Sequence, residues 1–193
     1  MNENNFGEIL KHNYLLDSLI LTDNEAQTLI EMTKLKSENF NLIYRATKDG
    51  FVGQAFHLKC DGKRNTICII KSSSNYVFGG YTSTAWQSTN VHLTDENAFI
   101  FSLRRDGESK ADKFMVKNPV QAIRGQATYG PTFGAYDIYV CNQPNINVGG
   151  YTNFGSSYHL PEGLICGSEN AKTFLSGNYD KWLAEEIEVY EIQ

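Results

Sequence analysis

His57 and Cys60 stand three residues apart, a spacing found within zinc sites. A structural site takes four ligands, usually as two close pairs, and no second pair exists: Cys141, His159 and Cys166 stand apart. Together with Cys68, these cysteines read as free thiols, buried rather than metal-bound. A Cys–His nucleophile pair is assembled only by a fold, and nothing in the sequence selects one cysteine for it. Phe154-Gly155-Ser156-Ser157-Tyr158 lacks the Gly-x-Ser-x-Gly spacing of a serine nucleophile on a tight turn. Gly79-Gly80, Gly149-Gly150 and the stretch from Gly125 to Gly134 lack the Gly-x-x-x-x-Gly-Lys-Ser/Thr form of a phosphate loop, so tight turns and bulges explain them better. Asp95-Glu96 and Glu185-Glu186 are paired carboxylates, but a hydrolase needs two across a cleft and adjacency does not supply that. Both pairs are expected in solvent. No catalytic, metal-ligating or cofactor-binding residue is assigned.

The bulk composition narrows the class of protein. The chain has 193 residues, 41% of them hydrophobic and 12% aromatic, with 20% charged. That suits one domain able to bury a core. Its 11 Tyr and 11 Phe lean toward β structure, and its 16 Gly against 4 Pro toward tight turns. A net charge of −5 argues against nucleic acid, whose phosphates demand a basic face. The densest basic spots, Lys63-Arg64 and Arg104-Arg105, lie beside Asp61-Gly62 and Asp106-Gly107 and read as solvated turns. No apolar run of about 18 residues exists to span a membrane. Met1 to Asn5 is polar and acidic, without the basic and apolar regions of a secretory signal. The expectation is a cytoplasmic protein with reduced cysteines.

Local signals then place elements. Thr22-Asp23-Asn24-Glu25 is a capping box, and Ala26, Leu29, Ile30 and Thr33 follow at helical spacing, so a helix is expected from Asp23 to Lys34. Ile20 can staple onto Ala26. Upstream, Phe6, Ile9, Leu10, Leu15, Leu16 and Leu19 form either a second helix or a docking arm. Strands are expected at 41–46, 66–70, 76–81, 98–103, 113–116, 136–140 and 186–192. A short helix capped by Asp49 carries Phe51, Ala55 and Phe56. In the last strand acidic residues alternate with β-branched ones, as when one face is wet. The fold class is therefore α+β, mostly β: a two-sheet antiparallel sandwich flanked by short helices, with residues 1–37 as a helical arm and 38–193 as the domain.

In this order the motifs resemble one family. Leu42-Ile43-Tyr44-Arg45-Ala46-Thr47-Lys48-Asp49-Gly50-Phe51 is similar to the opening of a TLDc domain. Thr66-Ile67-Cys68-Ile69-Ile70, Phe78-Gly79-Gly80-Tyr81-Thr82, Trp86, Ala98-Phe99-Ile100-Phe101, Gly130-Pro131-Thr132-Phe133-Gly134 and Asp137-Ile138-Tyr139-Val140 follow collinearly. The resemblance covers about residues 38–192. It implies a compact β-sandwich with no accepted catalytic mechanism, a link to oxidative-stress protection, and binding to the proton-pumping vacuolar ATPase. Related sequences often carry a His and extra glycines before the distal Asp; Gly134-Ala135-Tyr136-Asp137 has neither.

The leading expectation is thus a protein-interaction module. Gly79, Gly80, Tyr81 and Trp86 are expected to lie near Asp137 and to form the contact surface, with the tryptophan as an aromatic anchor. The partner is expected to be a protein, plausibly a vacuolar ATPase subunit. Trp86 also suits a core. Two alternatives stay open: a small hydrolase or redox enzyme with a cleft site, and a scaffold that self-associates through its N-terminal segment.

Overall fold

The computed structural model describes residues 17–33 and 39–193. The expected capping box forms in both halves. The Thr22 amide donates to the Glu25 carboxylate at 2.9 Å, and the Glu25 amide donates to the Thr22 hydroxyl at 3.3 Å. This starts α1 (Asp23–Thr33). Lys34 and the apolar segment from Phe6 to Leu16 lie outside the described residues.

After α1 come β1 (Phe40–Arg45), α2 (Ala46–Asp49) and α3 (Gly53–Cys60). Asp49 does not cap the helix carrying Phe56. Val52 precedes that helix, while Asp49 accepts the Arg45 amide at 2.9 Å and pairs with Lys59 at 3.1 Å. The rest is β2 (Thr66–Ser72), β3 (Val77–Thr82), β4 (Val91–Leu93), β5 (Phe99–Arg105), β6 (Glu108–Met115), β7 (Ile123–Gly125), α4 (Glu169–Thr173) and β8 (Ala184–Ile192). Six strands make one antiparallel sheet in the order β1-β8-β2-β3-β5-β6, and β4 pairs with β7 in a small second sheet. The mostly β architecture with short helices is as expected. The second layer, however, is held by single bridges as much as by strands. The expected strand 136–140 is one such case. Tyr136 has φ +71, a left-handed turn conformation, and beyond it only Ile138 and Tyr139 bridge to Phe133 and Tyr151.

Each face of the large sheet is covered by its own layer. On one face Ile67, Ile69, Val77, Tyr81, Phe99, Phe101, Leu103, Tyr190 and Ile192 pack under Ile20, Ala26 and Leu29. So α1, expected as part of an arm, lies on the sheet. On the other face Cys68, Phe78, Ile100, Ile187 and Val189 meet Phe56, Trp86, Phe133, Phe154, Tyr158 and Trp182. Burying side chains of this size stabilises by about 1.5–3 kcal/mol each before entropy is set against it.

The covering of the first face overturns two expectations. Alternation in β8 does not mark a wet side: Glu186 is 5% exposed and Glu188 is 0% exposed. Glu188 accepts the Ser18 hydroxyl at 2.6 Å and the Leu19 amide at 2.8 Å, and pairs with Arg45 at 2.9 Å. Arg104 is not a solvated turn residue either. It pairs with Glu25 at 2.5 Å and donates to the Ile20 carbonyl at 3.3 Å, which ties α1 to β5. A charge removed from water needs such partners, because leaving it alone costs several kcal/mol.

Candidate functional site

The five residues expected at a contact surface all lie inside the protein, and not at one place: Trp86 packs on one face of the large sheet and Tyr81 on the other. Trp86 is 0% exposed, donates its indole N–H to the Thr66 hydroxyl at 2.8 Å, and meets Phe56 and Phe133 edge-on at 5.1 and 5.6 Å. Gly80 lies directly under Phe133. A Cβ there would stand 2.6 Å from the ring, so the glycine is the vacancy that admits the phenylalanine. Gly79 is shut in between the Cys68 carbonyl and the Phe101 ring, and Tyr81 stacks on Phe99 at 5.1 Å. Asp137 is fully buried and accepts the amides of Gly155 at 2.9 Å, Ser157 at 2.8 Å and Tyr158 at 3.3 Å. Burial raises its carboxyl to about 6, and the same amides pull against that rise. Asp137 holds two loops together, while Gly79, Gly80, Tyr81 and Trp86 pack in the interior. They do not offer side chains to a partner, which corrects the expected surface: an anchor must be reachable from solvent.

The polar pairs singled out in the sequence are also engaged. Asp95, expected in solvent, accepts from the Thr82 and Ser83 hydroxyls at 2.7 Å each and from the Asn97 amide at 2.9 Å, fixing the loop after β3. His57 does not meet Cys60 as a base meets a nucleophile. Its Nδ1 is 2.7 Å from Asp61 and its Nε2 is 2.8 Å from the Gln126 carbonyl, so both ring nitrogens face acceptors. Burial pushes the thiols of Cys60, Cys68 and Cys141 up, away from the reactive thiolate. A groove of about 140 Å³ lies beside α1, lined by Asn24, Glu25, Thr28, Leu103, Ser109 and Ala111. Its Glu25 carboxylate is already held by Arg104.

A different set of residues reaches solvent together. Tyr139 and Tyr151 exchange both backbone hydrogen bonds, at 3.0 and 3.2 Å, which puts their side chains on one face. Tyr129 follows β7 in a turn closed by its amide on the Gln126 carbonyl at 2.8 Å. Tyr136 is presented by its left-handed backbone. The four half-buried rings meet around Tyr139: centroids lie 4.7 Å from Tyr129, 5.4 Å from Tyr136 and 4.9 Å from Tyr151. From β7, Arg124 lays its guanidinium 5.4 Å from the Tyr136 ring centre. The connection between Tyr139 and Tyr151 carries Ile146 and Val148, exposed by 66% and 55%. Burial, then Tyr136 and Tyr129, push the Tyr151 phenol up while Arg124 pulls it down, so arginine and tyrosines share one electrostatic neighbourhood. No motif in the sequence marks this cluster. Its one signal was the density of tyrosine between 129 and 151, whose convergence depends on turns that no local pattern announces.

No curated protein matches the chain. The family model of the TLDc domain matches residues 15–193, which takes in α1 as well as the sheet, and reaches upstream of the boundary expected at residue 37. The match spans nearly all of the chain and agrees with the collinear motifs from Leu42 to Val140: the chain belongs to the TLDc domain family.

Proposed function

We propose that the chain is a non-catalytic protein-interaction module of the cytoplasm that binds the vacuolar proton-pumping ATPase and contributes to protection from oxidative stress. The partner and the stress role are what membership of the family implies. The observation that supports the reading is the solvent-facing tyrosine cluster with its aliphatic loop. Rigid tyrosines supply large contact area at little cost in side-chain entropy, and aromatic residues and arginine are enriched at the centres of protein interfaces. Exposed Ile146 and Val148 extend the same hairpin with apolar surface.

Binding of the purified peripheral sector of the vacuolar ATPase to immobilised protein tests it. The wild-type chain binds. The double variant Ile146→Asp/Val148→Asp melts at an unchanged temperature, since both side chains already stand in water, and binds at least about tenfold more weakly, a loss of about 1.4 kcal/mol. Absence of wild-type binding, or equal binding by the variant, refutes the proposal.

A further inference from the structure

The tyrosine cluster contains a cation for which the described residues supply no counter-ion. Arg124 forms no ion pair among the described residues. One of its terminal nitrogens donates to the Asn90 side chain at 3.2 Å, and its Nε is buried without an acceptor. Across the β4–β7 pair His92 stands opposite, its Nδ1 likewise without a partner. Other arginines of the molecule show the contrast: Arg45 has Glu188, Arg104 has Glu25 and Arg105 has Asp112. The half-buried guanidinium keeps no anion beside it among the described residues, so it gains when a carboxylate reaches its terminal nitrogens. Among the described residues the guanidinium meets the Tyr136 ring and the Asn90 amide and acts on His92 and Tyr151, none of them anionic at neutral pH. Burial, and next to it Arg124, hold the His92 ring below its ordinary pKa, as expected where positive potential is uncompensated.

Resting on the interaction-module reading, we infer that Arg124 is the charge-selective centre of the tyrosine surface and takes a carboxylate from an extended acidic segment of a protein partner. The planar guanidinium matches a carboxylate in a two-point fork. The surrounding rings exclude water from that pair and hold the segment's apolar groups against their faces. The net charge of −5 makes the selectivity local: an acidic segment gains nothing from the molecule as a whole and binds only where Arg124 is reached.

The probe is an acetylated decapeptide of alternating Pro and Glu, which the prolines keep extended, beside its Pro/Gln counterpart. Each is titrated into the isotope-labelled full chain and followed at the Arg124 Nε–H and tyrosine ring signals. The Pro/Glu peptide is expected to shift Arg124, Tyr136 and Tyr151 together, to bind at least tenfold more tightly than the Pro/Gln peptide, and to weaken as salt is raised. Arg124→Gln is expected to abolish the preference. Arg124→Lys, which keeps charge but not the fork, is expected to retain part of it. No shift at Arg124, or equal binding of the two peptides by the wild-type chain, overturns the inference even if Arg124→Gln fails to fold. Loss of this preference with the ATPase sector still bound through Ile146 and Val148 sinks this inference alone. Failure of the sector to bind sinks the broader reading.

Discussion

Gly80 shows how a single residue type is dictated by a contact distant in sequence. Its backbone needs no left-handed conformation; it needs space, because the Phe133 ring occupies the place of a Cβ. That ring is fixed in turn by Trp86, so it cannot swing aside without disturbing one of the two buried tryptophans. Gly80→Val therefore overpacks the sheet. The expected cost is about 1–3 kcal/mol, a drop in Tm of roughly 2–10 °C for a chain of this size. A Gly80→Val protein with wild-type melting would show that Phe133 relaxes freely. Asp137 is similar in kind: three loop amides depend on one carboxylate, and Gly134 must be glycine both for its φ of +68 and because a Cβ would strike that carboxylate.

At the scale of an element, α1 is held by its apolar face and by the ion pair between Glu25 and Arg104. Leu29 is fully buried, and Glu25 carries both the capping box and the link to Arg104. Burial raises the Glu25 pKa, but the bonds from Arg104 and Thr22 outweigh it and the net shift is downward from 4.5. Folding thus weakens proton binding at Glu25. Its contribution to stability is fully present above the unfolded value of 4.5 and is lost as pH falls below it. Glu25→Gln keeps the shape and removes the charge. It is expected to destabilise by about 1–3 kcal/mol at neutral pH, the range for hydrogen bonds to charged groups. The gap between wild type and variant should close as the pH is lowered from 5 toward 3. Chemical denaturation across that range measures it, and a gap independent of pH would remove Glu25 as the acid-sensitive fastening of α1.

For the whole molecule, two covered sheet faces mean that the thiols report global unfolding. Cys60 and Cys68 are 0% exposed, Cys141 is 8% exposed and Cys166 is exposed. Alkylation of the native chain is expected to modify Cys166 first, in a single step. The other three should follow together at a rate that rises with denaturant, because reaching them requires opening the core. Fast labelling of Cys60 or Cys68 in the native state would reveal an accessible, activated thiol and revive the redox-enzyme alternative. The same layering sets what a partner can touch: loops of the small sheet, with the tyrosine cluster and the Ile146–Val148 connection, rather than the strand glycines.

Short-range chemistry was enough to read the Thr22–Glu25 capping box and the strands β2, β3 and β5. Each is fixed by neighbours along the chain, whereas the vacancy at Gly80 is set by Phe133 far along it. The sequence by itself also determined the mostly β class and, through the order of its motifs, the family. Only the tertiary structure decided which polar groups lie inside. Alternation in a strand distinguishes two faces but not what covers them, so Glu188 read as wet until Ser18, Leu19 and Arg45 closed over it. The turn signals beside Arg104 likewise gave no hint of Glu25. The aromatic residues were sorted for the same reason. Trp86 was drawn into the core by Phe56 and Phe133, while Tyr129, Tyr136, Tyr139 and Tyr151 met through the left-handed turn at Tyr136 and a single bridge, contacts whose energy exists only once the chain is folded.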